Sequence, residues 1–145
     1  MSVNLLIVED DDVASEAIER SLRKSETRFN AVIAEDGLVA LDILRGKHPV
    51  RKVANPLIVL LDINMPRMNG FEFLEEVRND KSLKSLVVFV LTTSSSDMDR
   101  SRAYEENIAG YMTKDKVGPQ FSKLFKLLSD YAETVLLPDI SLPAS

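Results

Sequence analysis

Residues 57–70 read LIVLLDINMPRMNG. The five aliphatic side chains from Leu57 to Leu61 have the length of a strand and lack the in-out alternation of a sheet with one wet face, so they read as a strand covered on both sides. The run stops at Asp62. After a short turn, Asn69-Gly70 opens a helix in which Phe71, Leu74 and Val77 point inward and Glu72, Glu75, Glu76 and Arg78 outward. A buried strand, a short turn and an amphipathic helix make up one half of a parallel βαβ unit.

The same unit recurs on either side. Apolar runs at Val3 to Val8, Phe29 to Ala34, Leu86 to Leu91 and, more weakly, Ile108 to Met112 are of strand length. Helical spacing follows each of them. It is seen in Val13, Ala14, Ala17, Ile18 and Leu22 after a cap at Asp11 or Asp12, and in Leu38, Leu41 and Leu44 between Gly37 and Gly46. Ser94 to Asn107 is the least amphipathic helix, with Met98 and Tyr104 its main large apolar side chains, and weak packing predicts mobility there. The last helix carries the clearest stripe: Val117, Phe121, Leu124, Phe125, Leu128, Tyr131, Ala132 and Val135. Pro138 and Pro143 then leave LPDISLPAS as an extended tail. Lys47 to Pro56 is the one long connection without regular structure. Regular alternation with right-handed crossovers predicts an α/β fold, a doubly wound five-stranded parallel sheet with helices on both faces.

Composition narrows the chemistry. The 145 residues hold no cysteine and one histidine, His48, which excludes disulfides and thiolate sites and argues against a zinc centre or a catalytic triad. A net charge of −5 argues against a nucleic-acid footprint. No apolar run reaches the roughly 18 residues of a membrane span, and no secretory leader is visible, so the expected location is the cytoplasm.

Ligands in such sheets bind at the carboxyl ends of the strands. Here those ends carry Glu9, Asp10, Asp11 and Asp12; Asp62 to Pro66; Thr92-Thr93-Ser94; and Thr113-Lys114-Asp115. Carboxylates after the first strand repel phosphate and attract a hard cation, and oxygen-only ligation suits Mg²⁺. Helix capping accounts for Asp11 or Asp12 but not for Glu9 and Asp10. Asp62 beside such a cation stays ionised and can act as a nucleophile toward a phosphoryl group, with Thr92 and Lys114 placed to bind its oxygens.

The pieces LLIVEDDD (5–12), LLDINMPRMNG (60–70), VFVLTTS (88–94) and GYMTK (110–114) together resemble the receiver domain of two-component response regulators, in order and in spacing. The resemblance covers the chain to about residue 130 and implies the flavodoxin-like strand order 2-1-3-4-5. It implies that Asp62 accepts a phosphoryl group from a histidine kinase and that Glu9, Asp10, Asp62 and the backbone carbonyl of Asn64 hold Mg²⁺. Thr92 and Lys114 then contact the phosphoryl group and Tyr111 is the switch residue. The long loop before the third strand, TTSSSD (92–97) and YAETVLLP (131–138) are similar to the stand-alone regulators paired with bacterial phytochromes. That implies a receiver over 1–130, a helix end and tail over 131–145, no output domain, and a phytochrome-type kinase as partner.

Output is then a protein contact or a relay to a phosphotransfer protein, and catalysis is confined to the chain's own phosphoryl uptake and loss. One departure is Asp115, where receivers usually have proline; a carboxylate there can compete for Lys114. An aspartyl-nucleophile phosphohydrolase would need an acid two positions after Asp62, where Asn64 stands, and a pseudo-receiver would have lost central residues. Apolar side chains on more than one face of the last helix predict a homodimer interface through Phe121, Phe125, Leu128, Tyr131, Val135, Leu136 and Leu137.

Overall fold

The computed structural model describes residues 3–24 and 29–143. The elements in chain order are β1 (Val3–Val8), α1 (Asp12–Lys24), β2 (Phe29–Ala34), α2 (Gly37–Leu44), β3 (Leu57–Leu61), α3 (Gly70–Asn79), β4 (Val87–Thr92), α4 (Asp97–Glu105), β5 (Gly110–Thr113) and α5 (Ser122–Thr134). All strands pair in parallel in the order β2-β1-β3-β4-β5.

Alternation along each strand splits the interior into two layers. Leu6, Val8, Val59 and Leu61 pack with Leu41, Leu44, Phe73 and Leu74 from α2 and α3. Leu5, Ile7, Ile58 and Leu60 pack with Ile18, Leu124, Phe125 and Leu128 from α1 and α5. Both faces of β1 and β3 are therefore covered, which is why their runs show no polar side. The register also fixes the functional edge. Val8 stands opposite Leu61, the Asp62 N–H donates to the Val8 carbonyl at 3.0 Å, and the Glu9 N–H donates to Ala34 at 2.9 Å. Glu9 and Asp62 leave the sheet side by side.

Several expectations need correction. The last helix starts at Ser122, not near Val117, because Gly118, Gln120 and Phe121 all have positive φ and interrupt the spiral. Val117 still joins the core from the preceding loop. In α4, Met98 is 83% exposed and Tyr104 48%, in keeping with the weak packing expected there, and Ala103 is the buried residue. Arg78 does not face outward. It is half-buried and donates to the carbonyls of Glu106 (2.6 Å), Lys84 (2.7 Å), Leu86 (2.8 Å) and Asn107 (3.1 Å), lacing α3 to two loops.

The tail is pinned down. Leu137 packs on the α1–α5 layer, whereas Ile140 and Leu142 join the α2–α3 layer. Asn55 donates to the Ile140 carbonyl at 2.8 Å and accepts from its N–H at 3.2 Å. Of the expected interface residues, Phe125 and Leu128 are buried in the chain's own core and offer no surface to a partner. Phe121, Tyr131 and Leu137 are half-buried against that core, and Val135 and Leu136 are exposed, Leu136 by 98%.

Candidate functional site

Three strand ends build the site. β1 delivers Glu9 and Asp10, β3 delivers Asp62, and carboxylate oxygens of all three lie within 4.8 Å of one another. Glu9 and Asp62 are buried and Asp10 is exposed, so the cluster opens to water on one side. β5 delivers Lys114, whose N–H donates to the Thr92 carbonyl at 2.9 Å. Its ammonium hydrogen-bonds Glu9 Oε1 and stands 3.7 Å from Asp62 Oδ2. Asp115 is exposed and takes no part; the Lys114–Asp115 bond is trans, since the cis bond among the described residues is Asn55–Pro56.

Three carboxylates and one ammonium leave an excess of negative charge in a half-dry place. Glu9 shows the result: its carboxyl is pushed up to about 8, by burial first and by the neighbouring Asp62, against the pull of Lys114. Burial works to strip the proton from Lys114 as well, but the hydrogen bond and charge of Glu9, helped by Asp62 and Asp11, outweigh it and hold that proton more tightly. Glu9 Oε2 is buried without any hydrogen-bond partner. A buried acceptor left over beside two further carboxylates fits a hard divalent cation, which takes oxygen ligands and compensates their charge. Asn64 is exposed on the same loop, and its N–H donates to Asp62 Oδ1 at 3.2 Å.

Thr92 is fully buried at the end of β4, and its hydroxyl oxygen accepts from the Ser94 N–H at 3.3 Å. The Tyr111 hydroxyl donates to the Ser94 carbonyl at 2.9 Å, so the ring is tied to the loop that Thr92 begins. Burial raises the Tyr111 phenol, opposed by that bond to Ser94. A cavity of about 440 Å³ lies beyond it, lined by Arg100, Met112, Lys116, Lys123, Leu124 and Leu127 among others. Sequence reading passed over Asp36, a buried carboxylate paired with Arg67 on the loop after Asp62. The signal in the sequence was an acid directly before a helix-opening glycine, which reads as a cap alone.

A sheet of this order with acids at its β1 and β3 ends and a lysine at β5 defines a receiver. The chain belongs to the response regulator receiver domain family, whose model matches residues 5–126. It is 33% identical over 138 residues to the response regulator Rcp1 of Synechocystis sp., covering 92% of each chain. The crystal structure of the Mn²⁺-bound form of Rcp1 superposes with a TM-score of 0.79, covering 93% of this chain and 98% of that one. The phosphorylated cyanobacterial phytochrome response regulator RcpA is 29% identical with a TM-score of 0.79, over 94% and 98%. The bacteriophytochrome response regulator RtBRR is 29% identical with a TM-score of 0.75, over 99% and 85%. Among the described residues no helix is long and apolar enough to cross a membrane.

Proposed function

We propose that the chain accepts a phosphoryl group on Asp62 from a phosphohistidine of a sensor kinase, in a Mg²⁺-dependent reaction. The observation that carries this reading is the meeting of Glu9, Asp10 and Asp62 within 4.8 Å, with an unpartnered Glu9 oxygen and the Lys114 ammonium 3.7 Å from Asp62. Glu9, Asp10, Asp62 and the Asn64 carbonyl would hold the cation. When bound, it supplies charge neutralisation for the phosphoryl oxygens. An Asp62 oxygen attacks phosphorus, a P–O bond forms, the P–N bond to the kinase histidine breaks, and the imidazole leaves with a proton from water. Attack of water on the same phosphorus later returns the carboxylate and inorganic phosphate.

Lys114 stands close enough to exchange its bond to Glu9 for a phosphoryl oxygen, and the Thr92 hydroxyl is free to donate to another. Moving Thr92 pulls on Ser94, and through the bond at 2.9 Å on Tyr111. The signal then reaches the outer surface of α4, β5 and α5, where a protein partner would read it. Likeness to regulators whose names include phytochromes supports a phytochrome-type histidine kinase as donor. A phosphotransfer protein and a second copy of this chain, through the exposed Val135 and Leu136, are the further partners we propose. The cytoplasm, where such kinases display their catalytic domains, is the matching location. The test is intact-mass measurement after incubation with acetyl phosphate and Mg²⁺: one phosphoryl adduct is expected, absent in Asp62→Asn and on chelation. An adduct that survives in Asp62→Asn places the acceptor elsewhere.

A further inference from the structure

The loop between Asp62 and α3 is fixed firmly at its ends. On one side the Asn64 N–H binds Asp62, and on the other Asn69 and Glu72 form a reciprocal cap, with Asn69 Oδ1 accepting from the Glu72 N–H at 2.9 Å and Glu72 Oε1 accepting from the Asn69 N–H at 3.1 Å. Its middle is held from outside. Asp36, buried before α2, uses Oδ1 to accept from the Val39 N–H at 3.0 Å and Oδ2 to accept from Arg67 Nε at 2.6 Å, with Arg67 Nη2 ion-paired to the same oxygen. The next residue repeats the link: the Gly37 N–H donates to the Met68 carbonyl at 3.3 Å, and Met68 fills the space where a Gly37 side chain would begin.

Arg67 has φ 64°, a left-handed conformation that a long side chain rarely adopts. Its side chain is 60% exposed, yet it reaches a carboxylate that is 3% exposed. A surface arginine in an unfavourable backbone region is held there because its guanidinium is anchored, and the anchor lies in a different βα unit. The stretch so anchored begins at Asn64, whose carbonyl belongs to the proposed cation site.

We infer that the Asp36–Arg67 pair is a positioning element for the acceptor pocket, holding loop 64–68 so that the Asn64 carbonyl is presented to Mg²⁺. The inference rests on the proposed function and deepens it. Residues that orient a metal's ligands change metal affinity about 10- to 100-fold when removed. Arg67→Ala should therefore weaken Mg²⁺ binding about tenfold by calorimetry without any phosphodonor. Asp36→Asn keeps an oxygen for the α2 cap and should weaken Mg²⁺ binding to a similar extent. The double variant should be no weaker than Arg67→Ala, because the two side chains act as one unit.

Arg67→Gly separates the pair from the backbone, since glycine accepts positive φ without an anchor. It should bind Mg²⁺ no better than Arg67→Ala. Two results would overturn the inference: unchanged Mg²⁺ affinity in Arg67→Ala and Asp36→Asn with only the urea midpoint lowered, or wild-type affinity in Arg67→Gly. Failure of the underlying reading looks different, as wild-type protein that binds Mg²⁺ normally but takes no phosphoryl group from acetyl phosphate.

Discussion

Gly70 opens α3 directly against the end of β3, and replacing it with alanine tests how tightly that junction is built. A Cβ there would sit 2.5 Å from Ile63 Cα, 2.8 Å from the Asp62 carbonyl oxygen and 2.9 Å from Ile63 Cγ2. Two of these atoms are backbone, so no rotamer change relieves them. Either the first turn of α3 or the Asp62–Ile63 segment must yield by about 0.9 Å to restore ordinary contact, in an interior packed as densely as a crystal. Overpacking of this kind costs about 3 kcal/mol, against a gain in helix propensity of at most about 1 kcal/mol. For a chain of this size the net loss corresponds to a fall in Tm of roughly 6 °C. Gly110→Ala is the control, because its Cβ would meet only the Phe89 ring, at 3.2 Å, which can turn aside. Urea unfolding of both variants, paired with Mg²⁺ titration, is the assay. Gly70→Ala should lose stability and Mg²⁺ affinity together. A Gly70→Ala unfolding free energy within about 0.5 kcal/mol of wild type would refute the packing argument, since surface-like substitutions fall in that range.

Arg78→Ala should cost about 3 kcal/mol in urea unfolding, because two of the four carbonyls it serves, Glu106 and Leu86, are partly buried and lose a charged donor. Arg78→Lys should recover little of this, as one ammonium cannot span the four acceptors. The metal-free protein should lose stability as pH rises from the ordinary Glu9 value of 4.5 through about 8, because over that window the folded chain holds a proton that the unfolded chain has released. Chemical denaturation at fixed pH values checks this; Glu9→Gln should flatten the slope, and saturating Mg²⁺ should reverse it by favouring the ionised carboxylate. Phe73→Ala, emptying a fully buried position under β3, should cost about 3–5 kcal/mol by the same method. Leu136→Ser should leave stability within about 0.5 kcal/mol and lower any oligomer mass seen by light scattering, since that side chain is almost wholly exposed.

The strands were legible because burial on both faces leaves a simple mark: Leu57–Leu61 is apolar throughout and Val3–Val8 is apolar but for Asn4, and each run stops abruptly at an acid, Asp62 and Glu9. Asp62, Lys114 and Thr92 could be read for the same reason, as polar residues at abrupt strand ends. What escaped was whatever depends on a partner distant in the chain. Arg78 looks like any charged helix residue, and only the arrival of Glu106 and Asn107 gives it a buried task. The Asp36–Arg67 pair spans 31 residues and has no periodic signature. Val117 satisfied the helical spacing of α5 while lying outside it, because the backbone turns at Gly118, Gln120 and Phe121 without changing which side chains are apolar.

Glu9 and Lys114 are separated by 105 residues, so the ion pair at the centre of the pocket closes a loop comprising most of the chain. During synthesis the acids of β1 and β3 emerge long before the lysine that offsets them. A nascent chain that has completed β3 carries Glu9, Asp10 and Asp62 facing one another with no lysine between them, and their repulsion opposes early docking of the first and third strands. Closing so large a loop is slow relative to local contacts. The pocket is therefore among the last parts of the molecule to take its final form, and a ribosome-bound chain stalled before β5 should gain more from added Mg²⁺ than the finished protein does.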